Sequence, residues 1–202
     1  MSNTKNKLLP IAALLLGISW QNAEATSFDV SIDTTALSGT DATLVFDLTD
    51  GDGVYQNTAL MSGFNSDVFG PGVSVSLPET TFFNEATLNF TLGSLINFNV
   101  ALSDLFNAGG SFPDQFSIFL MDAQGLVSLL STTDPTSADA LLSYDITGAV
   151  PGNLQSYADT AGNVSWTVTM VPEPTSLALL SLGGLALFGG KRRSAALFKS
   201  YR

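Results

Sequence analysis

Along most of this chain, apolar residues recur at every second position with mainly polar residues between them. Phe28-Val30-Ile32, Leu44-Phe46-Leu48, Val73-Val75-Leu77, Leu88-Phe90-Leu92, Ile96-Phe98-Val100-Leu102, Phe116-Ile118-Leu120 and Val164-Trp166-Val168-Met170 all follow this rule. A period of two places one face of a strand in a core and the other in solvent, and it does not suit a helix. Turn residues fall between the runs at Ser38-Gly39, Asp50-Gly51-Asp52-Gly53, Gly70-Pro71-Gly72, Asn107 to Gly110, Pro135, Gly148, Pro151-Gly152 and Gly162-Asn163. The pattern predicts roughly nine or ten short strands in an all-β fold, a single antiparallel β-sandwich of jelly-roll-like type. Leu102 to Ala108 is expected to add one helical turn.

The positive charges divide the chain. All seven Lys and Arg lie at the ends, as Lys5, Lys7, Lys191, Arg192, Arg193, Lys199 and Arg202, and the chain has no His and no Cys. Of the eighteen acids only Glu24 and Glu173 fall outside residues 26–171, so that stretch carries sixteen carboxylates and no basic side chain. Such a surface repels nucleic acid and anionic lipid and attracts divalent cations. Without cysteine there is no disulfide to support the domain, which must rely on packing. Twelve phenylalanines and Trp166 supply the apolar bulk.

The ends read as addresses. Lys5 and Lys7 precede the apolar run from Leu8 to Trp20, and Ala23-Glu24-Ala25 supplies a small-x-small site. This is the layout of a secretory signal peptide over residues 1–25, with cleavage expected after Ala25 by signal peptidase following passage through the Sec translocon. At the other end Pro172-Glu173-Pro174 leads into an apolar segment over 175–190, closed by the basic tail 191–202. As a helix that segment would be about 24 Å long at ~1.5 Å per residue, short for a hydrocarbon core of ~30 Å, with thinning and snorkelling making up the difference. The positive-inside rule keeps Lys191, Arg192 and Arg193 cytoplasmic and leaves residues 26–171 outside.

Pro172-Glu173-Pro174, the apolar segment and the basic cluster together resemble the PEP-CTERM sorting signal of Gram-negative bacteria that make extracellular polysaccharide. The tail from Ser194 to Arg202 is longer than usual for that signal. The resemblance implies recognition by an exosortase, a membrane transpeptidase that cuts near the Pro-Glu-Pro. It also implies transient anchoring at the inner membrane, then residence at the cell surface or in the matrix. Two prolines around Glu173 favour an extended backbone, which a transpeptidase cleft can grip. Ser27 to Gly39 and Leu129 to Pro135 are also similar to a β-rich family of PEP-CTERM exported proteins of unknown function.

Within residues 26–171 the missing residue types exclude Ser-His-Asp and Cys-His catalysis, His-ligated zinc and arginine clamps for phosphate. Carboxylate chemistry remains, as in glycosidases with two carboxyls roughly 5 to 9.5 Å apart. Asp29, Asp33, Asp47 and Glu85 instead read as solvated residues on the polar phase of strands, and no catalytic residue is assigned. The best ion-binding candidate is Asp47, Asp50 and Asp52, three carboxylates in a Gly-rich stretch that suits Ca²⁺. Trp166 reads as a core anchor; Tyr55, Tyr144 and Tyr157 are the remaining sugar-stacking candidates, with Tyr157 in a Ser/Asp-rich loop. The expectation is a non-enzymatic, exported matrix or biofilm component. The alternatives are a module binding extracellular polysaccharide and, behind it, a carboxylate-dependent glycosidase.

Overall fold

A computed structural model describes residues 25–148 and 152–171. Their ten strands are β1 (Ala25–Asp33), β2 (Asp41–Thr49), β3 (Thr58–Ser62), β4 (Val75–Pro78), β5 (Phe83–Thr91), β6 (Leu95–Ser103), β7 (Asp114–Asp122), β8 (Leu142–Ile146), β9 (Asn153–Ser156) and β10 (Ser165–Val171). They form two five-stranded sheets, ordered β10-β1-β6-β3-β4 and β5-β2-β7-β8-β9. All pairings between strands are antiparallel. The described residues are thus all-β, with two antiparallel sheets. Among the described residues, helix is limited to a 3-10 turn, Thr35–Leu37, and one α-helical turn, Ser66–Phe69. No helix among them is long and apolar enough to cross a membrane.

The alternating runs account for the core. Phe28, Val30 and Ile32 from β1 and Ile96, Phe98, Val100 and Leu102 from β6 meet Leu44, Phe46 and Leu48 from β2 and Phe116, Ile118 and Leu120 from β7 in one buried cluster. Phe46 lies at its centre, its ring in contact with those of Phe64, Phe98 and Phe116. Rings from both sheets therefore interlock, Phe46 and Phe116 from one with Phe98 from the other. Strands at sheet edges are less fully buried: Leu88 and Phe90 of β5 and Trp166, Val168 and Met170 of β10 pack against the cluster while keeping some exposure. Edge strands have a partner on one side only, so their inward residues gain less cover.

One expected element is absent. Leu102 and Ser103 finish β6, and residues 104–107 are irregular rather than helical. The reason is local: Asp104 turns into the interior, Leu105 N–H donates to Asn57 Oδ1, and Asn107 N–H donates to Asp52 Oδ2. Those partners take the backbone groups that a helical turn would use.

The first and last strands are neighbours. β1 lies between β6 and β10, and its register sets Ser27 opposite Val171. Thr26 is buried at this corner, where its hydroxyl lies 3.0 Å from Asp104 Oδ2 and 2.8 Å from the Tyr144 hydroxyl and can donate its one proton to either. Tyr144 in turn donates to Asp104 and accepts from Gly152 N–H. Burial pushes the Tyr144 phenol up to about 12, so it stays a neutral donor.

Candidate functional site

Three segments converge at one end of the sheets. Residues 50–57 follow β2, residues 79–82 follow β4, and residues 104–113 lead into β7. They lock together through backbone contacts: Asp50 N–H donates to the Phe82 carbonyl, Phe112 N–H to the Gly51 carbonyl, and Glu79 N–H to the Asn57 carbonyl. Two glycines make this approach possible. A Cβ at Gly51 would overlap the Pro113 carbonyl, and one at Gly110 would overlap Asp52. Glycine is needed wherever backbones come this close.

The convergence gathers carboxylates. Asp50, Asp52 and Asp114 each offer an oxygen within 4.8 Å of the others, and all three are buried. Asp114 Oδ1 accepts from the N–H groups of Gly51 and Asp52, and its Oδ2 accepts from Asn57 Nδ2 at 2.6 Å. Asp50 Oδ1 accepts from Gly53 N–H, and Asp52 Oδ1 from Val54 N–H. Glu79 adds a fourth buried carboxylate, whose Oε2 accepts from the N–H groups of Gln56 and Asn57. Its Oε1 is buried without a hydrogen-bond partner.

The electrostatics match that crowding. Burial raises the Glu79 carboxyl above its usual range, against backbone N–H groups that pull it down, and the charges of Asp114 and Asp50 raise it further. Asp114 is likewise raised, chiefly by burial and in part by the charge of Asp52. Oxygen donors of this kind suit hard cations such as Ca²⁺ and Mg²⁺.

The structure rearranges the set expected from sequence. Asp50 and Asp52 are brought together, but their partner is Asp114; Asp47 is not part of the group. It sits on β2 between Glu85 of β5 and Ser117 of β7 in register. Expected to be solvated, Asp47 is only partly exposed, with Oδ1 buried and unpartnered. Its carboxyl is raised to about 7, first by burial and then by the Glu85 charge. Asp29, Asp33 and Glu85 are exposed as expected. Glu79 and Asp114 lie too far apart in sequence for any spacing rule to have joined them to Asp50, and the only cue was their position at strand ends.

Other acids do turn chemistry. Asp122 accepts from Leu126 and Val127, Asp134 from Thr136 and Ala140, and Asp159 from Ala161, Asn163 and Val164. These backbone donors hold all three carboxyls below the usual aspartate range, although partial burial opposes them.

The aromatic candidates separate. Tyr144 is fully buried and Tyr55 is 53% exposed. Tyr157 and Trp166 line a shallow hollow of about 290 Å³ with Asp159, where Trp166 Nε1 donates to Ser156 and the Tyr157 hydroxyl pairs with Ser143. Tyr157 is thus tied down rather than free. The three convergent segments, with the first residue of β5, also expose Val54, Tyr55, Phe82, Phe83 and Phe112.

Ala25 begins β1 and is exposed. Ala23, Pro172, Glu173, Pro174, Lys191, Arg192 and Arg193 lie outside the described residues, as does the segment 175–190. Residues 171–193 match a family model described as the PEP-CTERM protein-sorting motif. The match starts at Val171, the last residue of β10. No curated protein and no solved structure matches the chain.

Proposed function

We propose that this chain, which carries the PEP-CTERM protein-sorting motif at residues 171–193, is an exported exosortase substrate that ends at the cell surface or in the extracellular matrix as a non-catalytic component. The sorting motif is the observation that carries the reading. The Sec translocon delivers the chain, signal peptidase cuts after Ala25, and the apolar segment 175–190 holds the product at the inner membrane while Pro172-Glu173-Pro174 meets the exosortase. Residues 26–171 form one acidic sandwich domain that then joins the polysaccharide around the cell. Lack of Lys, Arg, His and Cys between residues 8 and 190 supports a role without catalysis, since nucleophile, base and anion-clamp chemistries draw on those residues.

The test is mass spectrometry of the protein from cells and medium, in strains with and without the exosortase. A mature chain starting at Thr26 and ending between Pro172 and Thr175 only when the enzyme is present is the expected result. A C-terminus intact at Arg202 in every fraction of the enzyme-bearing strain would overturn the reading.

A second reading, a module that binds extracellular polysaccharide, is favoured by the exposure of Tyr55, Phe82, Phe83 and Phe112 on neighbouring segments. Aromatic faces exposed together are what sugar rings stack on, and large exposed apolar groups mark interaction surfaces. Retention on immobilised polysaccharide that drops on Phe112→Ala would establish it.

A further inference from the structure

We propose that Asp104 receives the new N-terminus of the processed chain: the cut after Ala25 leaves a positive α-ammonium on Thr26, and that group pairs with the buried Asp104 carboxylate to lock β1 against β6 and β8. The inference rests on the signal-peptide cleavage proposed above and goes beyond it, since it concerns what the cut does to the fold.

Burial of Asp104 is the first argument. The residue is 2% exposed, and the donors that reach it are neutral. The Tyr144 hydroxyl lies 2.7 Å and the Thr26 hydroxyl 3.0 Å from Oδ2, and the Gly148 N–H lies 3.3 Å from Oδ1. Neutral hydrogen bonds lessen the cost of burying a carboxylate, but a positive charge beside it offsets more. No side chain of the domain can supply one, because residues 26–171 hold no Lys, Arg or His. A chain that begins at Thr26 brings its own cation, and it is the one positive charge that stretch has.

Geometry puts that cation beside the carboxylate. Thr26 Oγ1 lies 3.0 Å from Asp104 Oδ2. The Thr26 nitrogen is three bonds from that hydroxyl and so no more than about 4 Å from it, which keeps the nitrogen within about 7 Å of the carboxylate oxygen. Thr26 is fixed there, buried and in register with Leu102 of β6, two residues before Asp104. Ala25, just before it, is exposed. The cut therefore removes a residue outside the core and leaves the nitrogen at the border between Asp104 and water. An ion pair at such a border escapes the full desolvation that makes deeply buried pairs costly.

Before the cut the same nitrogen is a neutral amide. Cleaved and uncleaved chains thus differ by one charge at this corner, with the sequence of residues 26–171 unchanged. Asp104 also accepts from Tyr144 of β8, whose ring stacks on Phe28 of β1 at 6.1 Å, and β8 belongs to the opposite sheet. A pair between Thr26 and Asp104 fastens both sheets where the first strand begins, so removal of the leader strengthens the fold.

The test exports the full chain from a Gram-negative host, recovers the processed product in mild detergent, reads its first residue by intact mass and follows its melting by circular dichroism. One alanine inserted between Ala25 and Thr26 moves the ammonium outward by about 3.3 Å and leaves an amide at Thr26, as in the uncut chain. Asp104→Asn removes the carboxylate charge and keeps an acceptor for Tyr144. In the parent the inserted alanine should lower the melting temperature by about 3 °C or more. In Asp104→Asn it should change little, and that non-additivity assigns the effect to the pair rather than to the extra residue. An equal fall in both backgrounds, or no fall in the parent, would overturn the lock. If Asp104→Asn does not fold, the parent and the extended chain decide between themselves, equal melting temperatures overturning the lock and a fall supporting it. A first residue other than Thr26 in the parent refutes the cleavage reading and the lock with it; the expected mass with additive melting refutes the lock alone.

Discussion

Asp47→Asn should stabilise the domain, and only on the alkaline side. In the fold the Asp47 carboxyl is raised from 3.8 to about 7, mainly by burial and then by Glu85 across the strand pair. Below about pH 4 the carboxyl is protonated in both the folded and unfolded chain and costs nothing. From pH 4 to 7 the unfolded chain ionises first, so stability falls as pH rises; above 7 the penalty is fully expressed. At ~1.36 kcal/mol per pH unit the whole displacement corresponds to about 4 kcal/mol. Asp47 keeps partial exposure and solvent screens the Glu85 charge, so we expect about 1.5–2 kcal/mol. Asparagine keeps the shape without the charge and should recover that amount at pH 8 while changing little at pH 4. Urea unfolding of residues 26–171 measures it, with Trp166, the sole tryptophan in that stretch, as the fluorescent probe. Glu85→Gln should recover a smaller share, since its charge is the lesser cause. Parallel pH profiles for Asp47→Asn and parent would refute the reasoning.

Phe46→Ala, which empties the centre of the aromatic cluster, should cost about 3–5 kcal/mol, read as a lower urea midpoint at unchanged slope. Tyr144→Phe takes one donor from Asp104, which keeps Thr26, and leaves the Gly152 N–H without its acceptor; a loss of about 1–3 kcal/mol is expected in the same assay. Gly110→Ala forces a methyl into Asp52, so thermal melting should show destabilisation of at least ~1 kcal/mol, where Gly→Ala at a strain-free position would stabilise.

Strands with a strict period of two were legible because each buries one face against the opposite sheet. β8 carried the same signal in Leu142, Tyr144 and Ile146, in a shorter run that sequence reading passed over. β3 buries only Ala59 and Met61, and β9 is a polar edge strand, Asn153–Ser156, so neither offers a pattern to read. The carboxylate cluster was half legible. Asp50 and Asp52 share a Gly-rich turn, which sequence displays directly, whereas Asp114 joins them only through tertiary approach. Asp47 misled because proximity in sequence suggested a shared site, while its place in the β2 alternation holds it in the sheet, facing Glu85. Asp104 likewise lies at the end of an alternating run, where nothing in sequence distinguishes a buried network from a solvated turn.

The pairing of β1 with β10 has a temporal meaning. A chain exported N-terminus first brings out β1 at the start and β10 at the end, so one flank of β1 waits through nearly the entire passage for its partner. Non-local pairings of this kind are the slowest to form. The last register, Ser27 with Val171, closes only as the residues that begin the sorting motif come through. The sheet therefore cannot be completed before Val171, the residue at which the sorting-motif match begins, is available to pair.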